Sequence, residues 1–155
     1  MNAKQTMGLP ARSSVSPFPD KLASGEMDGP HAFEMVDGIA CLRLAGSYHF
    51  HAATALVTSA LAQAFLQRHD RLLVVATDVV GFDSPGVPAR HEMMRHWAAA
   101  AQAWVRLALV VRAELIDPEK FGVMAARNFG FVTDVFEAER EALDWLRTLE
   151  PIAGR

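Results

Sequence analysis

The chain has 155 residues, of which 51% are hydrophobic and 21% charged, and its formal net charge is −3. This composition is typical of one globular domain with a sizeable core and excludes a disordered chain. The basic residues form no long run, so we expect no nucleic-acid partner, because phosphate binding needs clustered Lys and Arg.

The single cysteine, Cys41, excludes an intrachain disulfide and a multi-cysteine metal site. It lies in the apolar run 39–44, which indicates a small buried hydrophobe rather than a reactive thiol. No apolar stretch reaches the roughly 18 residues that cross a bilayer, and residues 1–16 lack the apolar centre of a signal peptide. We therefore expect a cytoplasmic protein without stable membrane insertion.

Residues 1–30 contain four of the eight prolines, together with several Ser and Gly residues. This mixture predicts a flexible N-terminal leader, in which Phe18 and Met27 are candidates for docking on the domain. We place the domain at 31–150 and a short tail at 151–155.

The domain begins with a predicted β-hairpin. Asp37-Gly38 separates the apolar runs 32–36 and 39–45, and this dipeptide is the strongest short hairpin signal. Apolar residues at helical spacing then predict a helix over 52–67. The first strand is expected at an edge of the sheet.

The run Leu72–Ala76 predicts a central strand that is buried on both faces. It leads into the loop Gly81–Gly86, and a second helix is predicted to begin between Ser84 and Val87. Since ligands of parallel sheets bind beyond the carboxyl ends of the strands, we expect the site at this loop.

The second half of the chain alternates in the same way. Its predicted elements are a strand at 106–111, a helix with Asp117 as N-cap and Pro118 at its first position that stops at 128–130, a strand at 131–136 and a helix at 139–149. The order β-β-α-β-α-β-α-β-α indicates an α/β fold, a mostly parallel sheet with one antiparallel edge strand.

Met94, Trp97, Ala101 and Trp104 recur at helical spacing and indicate the inner face of the second helix. Met93 is offset from this stripe. It is a candidate for an exposed apolar groove or partner surface, although core packing is the more common role of such residues.

The element order, with the loop Gly81-Phe82-Asp83-Ser84-Pro85-Gly86 after the central strand, resembles the STAS domain. The later half, with its strand at 106–111, Phe136 and Glu141-Ala142-Leu143-Asp144-Trp145-Leu146, is similar to the SpoIIAA-like (STAS/Sec14-like) branch of small bacterial proteins. The resemblance implies a STAS-like fold over about 32–149.

In the anti-sigma-factor antagonists of that family, a serine in an Asp-Ser-Ser-Gly-like turn is phosphorylated by a partner kinase. Asp83 and Ser84 match the first two positions, but Pro85 occupies the third and cannot accept phosphate. We therefore do not expect that switch, and we interpret Ser84 as a helix N-cap, with modification of its hydroxyl as the alternative.

No motif for metal, nucleotide or nucleophilic catalysis stands out. His91 and His96 are five residues apart, whereas a zinc helix needs a spacing of four, and no glycine-rich phosphate loop occurs. We expect no metal and no cofactor. One hypothesis groups Tyr48, His49 and His51 with Asp78 and Asp83 at one end of the sheet.

These observations favour a non-enzymatic regulatory or scaffold domain that binds a protein partner, or a second copy of itself, through the Gly81–Gly86 loop and the next helix. The alternative is a carrier of a small apolar or lipid-like ligand, and an enzyme ranks third. An apolar cavity under the second helix would favour the carrier, whereas a filled core with an exposed patch near Ser84 would favour the partner. The candidate binding residues are Asp78, Asp83, Ser84, Arg90, His91, His49 and His51.

Overall fold

The structure is a computed structural model that describes residues 33–152. Its strands are β1 (Glu34–Val36), β2 (Ile39–Ser47), β3 (Arg71–Val80), β4 (Arg106–Val110) and β5 (Thr133–Phe136), and its helices are α1 (Phe50–Leu66), α2 (Val87–Ala101), α3 (Phe121–Asn128) and α4 (Glu139–Thr148). The predicted α/β class and element order are confirmed. The predicted leader at 1–30 lies outside the described residues.

The strands form one five-stranded sheet in the order β1-β2-β3-β4-β5. β1 is antiparallel to β2, and the remaining pairs are parallel, so the antiparallel edge is also confirmed. Asp37 and Gly38 both have positive φ, 53° and 80°, as a two-residue type I′ hairpin turn requires.

The helices divide unequally between the two faces of the sheet. α1, α2 and α3 pack on one face, over a core that includes Leu72, Val74 and Leu107. Within the described residues, α4 is the one helix on the other face, over Leu73 and Ala108. Successive side chains of β3 and β4 point to opposite faces of the sheet, and helices cover both faces. Both strands therefore have continuous apolar sequences.

Buried and bridging arginines attach α4 to the sheet. Arg106, whose side chain is 8% exposed, pairs with Asp70 at 2.7 Å and donates from Nη1 to the carbonyl of Glu150 at 2.6 Å. At the other end of α4, Arg43 pairs with Glu139 and with Glu34 of β1. The bond from Arg43 holds the pKa of Glu139 below its usual range.

Several element bounds differ from the predicted ones. β3 continues to Val80 through a register shift opposite Arg43–Ala45 of β2. α2 begins at Val87 within the predicted interval, but Gln102 and Ala103 adopt positive φ and end the helix before Trp104. Trp104 therefore lies outside the helix and packs edge-on against Phe65.

The predicted start of α3 at Pro118 is wrong. Pro118 and Glu119 form a turn that is closed by the bond from the Lys120 amide to the Asp117 carbonyl, and Lys120 takes a left-handed conformation. The helix begins only at Phe121. Its end is as predicted, with Gly130 at φ 75°.

Gly81 is the position where backbone geometry most restricts the sequence. Its φ is 114°, and a Cβ there would lie 2.9 Å from the amide nitrogen of Tyr48 and overlap the Tyr48 carbonyl oxygen. We expect Gly81→Ala to lower the free energy of unfolding by roughly 3–5 kcal/mol, from conformational strain plus overlap with backbone. Urea denaturation measures this change.

Gly38 provides the matched control, because its φ is also positive at 80° but a Cβ there meets nothing within 4 Å. Gly38→Ala should cost only about 1 kcal/mol. Equal losses in the two variants would contradict the proposed overlap at Tyr48.

Cys41 is buried, as predicted, and burial raises the pKa of its thiol from 9.0 to about 11. Between these values the unfolded chain loses the thiol proton while the native protein keeps it, so stability falls as pH rises through this window. We expect a pH series of urea denaturation to show a steeper fall for the wild type than for Cys41→Ala, by up to ~1.4 kcal/mol per pH unit. If the stabilities of the wild type and Cys41→Ala fall equally with pH, the native thiol has the same pKa as the unfolded one.

Candidate functional site

An apolar cavity of about 100 Å³ lies between the sheet and the three helices α1, α2 and α3. Its floor is formed by side chains of β2 to β5, and its roof by α2 and the flanking loops. Residues that line it include Leu44, Phe50, Ala53, Thr54, Val57, Ala76, Val79, Phe82, Pro85, Arg90, Met93, Met94, Trp97, Leu109, Val111, Leu115, Asp117, Lys120, Val123, Thr133, Asp134 and Val135.

Small residues leave this volume unfilled. Ala53 of α1, Ala76 of β3 and Gly122 of α3 all line the cavity, and none of them extends beyond Cβ. Gly122 also packs closely on α2, since an added Cβ would lie 3.3 Å from Cε of Met94. At the back of the cavity the indole N–H of Trp97 donates to the carbonyl of Thr54 at 3.1 Å and links α2 to α1.

The two ends of the cavity differ in polarity. Leu44, Phe50 and Val57 line the end at β2 and α1, whereas Lys120, Thr133 and Asp134 line the end at α3 and β5. β2 and β5 are three strand positions apart in the sheet, a distance of roughly 14 Å. At the polar end, Lys120 Nζ pairs with Asp134 Oδ1 at 2.8 Å, and that oxygen also accepts from the Val135 amide.

Arg90 is half-buried and joins two loops at the edge of the cavity. Its Nε donates to the Pro85 carbonyl at 3.0 Å, and its Nη2 donates to Ser84 Oγ at 2.6 Å and to the Leu115 carbonyl at 3.2 Å. The side chain thus closes the β3–α2 loop against the β4–α3 connection.

The Ser84 hydroxyl does not cap α2, contrary to the sequence interpretation. Gly86 occupies the N-cap position, and no side chain bonds the helix start there. Ser84 is exposed and lies with Asp83 in a polar crevice of about 520 Å³, together with Arg112 and Glu114. In this crevice Arg112 Nη1 pairs with Glu114 at 3.2 Å.

The other predicted site residues are not among those that line the apolar cavity. His91 is exposed and contacts the ring of Phe129, with 5.2 Å between ring centroids. His49 is exposed at the N-cap of α1, and His51 lines a groove between α1 and α2. Asp78 is exposed and alternates with Val79, which faces the cavity, so it lies on the opposite face of the sheet.

A shallow apolar groove lies between the outer faces of α2 and α3. It is lined by Val87, His91, Phe121 and Met124, and the three apolar side chains are 52%, 43% and 53% exposed. Exposed apolar side chains of this kind, gathered in one patch, are typical of an interaction surface.

Residues 33–152 contain no cluster of three or more His, Cys, Asp and Glu side chains that is placed to hold a metal ion. In the same part of the chain, no helix is both long enough and apolar enough to span a bilayer.

Comparison with known proteins gave no relatives. No protein-family model, curated protein or solved structure matched the chain.

Of the predicted site residues, Arg90 is the one that lines the cavity beneath α2. The sequence did not predict the apolar wall of this cavity, because Leu44, Val57 and Val79 are indistinguishable in the sequence from core residues. The signal that was present is the small size of the inward-facing residues, such as Ala53 and Gly122.

Asp117 shapes the polar end of the cavity. Its carboxylate accepts from the amide of Glu119 in the preceding turn at 3.2 Å and from the amide of Phe121 at 2.7 Å, so it satisfies the first N–H group of α3. We expect Asp117→Ala to lower the free energy of unfolding by about 1–2 kcal/mol, as loss of a helix cap does. Urea denaturation is the measurement.

Glu119→Ala is the control for that experiment, because Glu119 is an exposed carboxylate in the same turn. It should change stability by no more than about 0.5 kcal/mol. If the two variants lose equal stability, Asp117 does not act as the cap.

Proposed function

We propose that this protein binds a small apolar ligand in the cavity beneath α2. The observation that carries the proposal is the cavity itself, about 100 Å³ in volume, with mostly apolar walls. Sequence reasoning ranked a protein-binding role first and a carrier second, and it named a cavity under the second helix as the feature that would favour the carrier.

The unfilled apolar wall supports this proposal. Apolar side chains that face an unfilled space lack the van der Waals contacts that a close-packed core provides. A ligand that occupies the volume recovers contacts that the empty protein lacks.

The volume limits the ligand to a small molecule or a short chain. An engineered cavity of ~150 Å³ with similar apolar walls accepts benzene, so this cavity accommodates an apolar group of roughly four carbon atoms. A larger ligand would have to extend out of the cavity towards the loops at Pro85 and Leu115.

A second candidate function is binding of a protein partner, or of another copy of the chain, through the 81–86 loop and α2. The exposed groove at Val87, Phe121 and Met124 favours it, because it lies on the helix that follows the loop. The proposed STAS-like relationship fits this role, supported by the element order and by the position of the Asp83-Ser84 turn. Both functions are proposed as non-enzymatic and cytoplasmic.

Filling the cavity tests the first proposal. Ala53→Leu adds three carbon atoms on the face of α1 that lines the cavity. We expect xenon, an apolar probe small enough for this volume, to bind the wild-type chain and to bind the variant at least ~10-fold more weakly, because the site volume is occupied. The measurement is a titration followed by ¹H–¹⁵N NMR chemical shifts.

Ala62→Leu is the matched control, since Ala62 is exposed on the same helix and is not among the cavity-lining residues. It should bind xenon like the wild type. Equal xenon binding by Ala53→Leu and the wild type, or no xenon binding by the wild type, would contradict the proposal.

A further inference from the structure

The guanidinium of Arg90 lies at the cavity without a carboxylate partner. Each of its three hydrogen bonds goes to an uncharged oxygen, those of Pro85, Ser84 and Leu115. Within residues 33–152 it forms no ion pair, and its Nη1 nitrogen makes no hydrogen bond there. Arg106, the buried arginine of β4, has Asp70 at 2.7 Å.

The carboxylates that line the cavity are already engaged elsewhere. Asp117 accepts from the backbone amides of Glu119, in the turn before α3, and of Phe121, the first residue of α3. Asp134 accepts from Lys120 and from the Val135 amide. Lys120 thus forms an ion pair with Asp134, whereas Arg90 forms no ion pair with either of these carboxylates.

Removing a charge from water is costly unless an opposite charge accompanies it. Arg90 is half-buried, beside a cavity whose walls are mostly apolar. An anion at Nη1 would supply the missing counter-charge through charge-assisted hydrogen bonds, which are shorter and stronger than neutral ones. The planar guanidinium also matches the geometry of a carboxylate.

From this geometry we propose that the ligand of the cavity is a short-chain carboxylate. Its carboxylate group pairs with Arg90, and its hydrocarbon chain lies in the apolar part of the cavity towards Leu44 and Val57. The inference rests on the proposed function and adds the chemical class of the ligand. The cavity volume sets the buried part of the chain at roughly four carbon atoms.

Probes that differ only in their head group distinguish a carboxylate site from a purely apolar site. Pentanoate, 1-pentanol and pentylamine share one chain length and differ only in charge. A site made by apolar walls alone binds the alcohol best, since it has no charge to desolvate. A site with an unpaired guanidinium binds the carboxylate best and the ammonium worst, because like charges repel.

The first experiment titrates the full wild-type chain at pH 7 with these three probes and follows ¹H–¹⁵N NMR shifts. We expect the Kd of pentanoate to be roughly 10-fold lower than that of 1-pentanol, the usual advantage of a hydrogen bond to a charged group. Pentylamine should bind more weakly than the alcohol. This comparison needs no substitution and therefore does not depend on how a variant folds.

The second experiment repeats the titrations with Arg90→Gln, which removes the charge and keeps a hydrogen-bond donor. We expect the preference for pentanoate over 1-pentanol to fall to about twofold or less, while the alcohol still binds. Arg112→Gln is the control, because Arg112 lines the neighbouring polar crevice. It should keep the wild-type preference.

Three results would overturn the inference. If 1-pentanol binds the wild type as tightly as pentanoate, the cavity is an apolar site without head-group selection, and the proposed function stands alone. If the preference survives in Arg90→Gln and is lost in Arg112→Gln, the carboxylate binds in the crevice rather than the cavity. If neither the three probes nor xenon bind the wild type, the inference and the proposed function both fail.

Discussion

The geometry of this domain depends on how three helices cover one face of a five-stranded sheet. Parallel connections place α1, α2 and α3 on the same face, and α2 lies between the other two. The bond from the Trp97 indole to the Thr54 carbonyl sets the spacing of α2 from α1, and Gly122 sets the close approach of α3 to Met94. With both neighbours held, α2 does not settle further onto the sheet, and the space below it at Ala76 stays open.

The opposite face of the sheet is covered differently. Within residues 33–152, α4 is the one helix over Leu73 and Ala108; Arg43 bonds its first residue, and Arg106 bonds the carbonyl of Glu150 just after it. A helix without neighbouring helices can approach the sheet until its side chains are in contact, whereas α1 and α3 restrict the approach of α2.

Much of the fold was predictable because it follows from patterns along the chain. The apolar run at Leu72–Ala76 and the Asp37-Gly38 turn each specify local structure, and both predictions were confirmed. The start of α3 was predicted wrongly. Asp117 bonds the amide of Phe121, the first helical residue, from four residues earlier in the chain, and the turn between them contains Lys120 in a left-handed conformation. The cavity was not predictable, because periodicity shows which face of a helix is buried but not whether its side chains fill the space they face.

Arg90 connects the two functions that the sequence left as alternatives. Its side chain borders the cavity, and the same guanidinium holds Ser84 and Leu115, which belong to the two loops beside α2. An anion bound at Nη1 would partly neutralise the guanidinium and so weaken its bonds to both loops. Such an effect is reciprocal by thermodynamic necessity: a partner that binds the loops and shifts Arg90 changes ligand affinity by the same factor. The two proposed functions would therefore be coupled through one side chain rather than exclude each other.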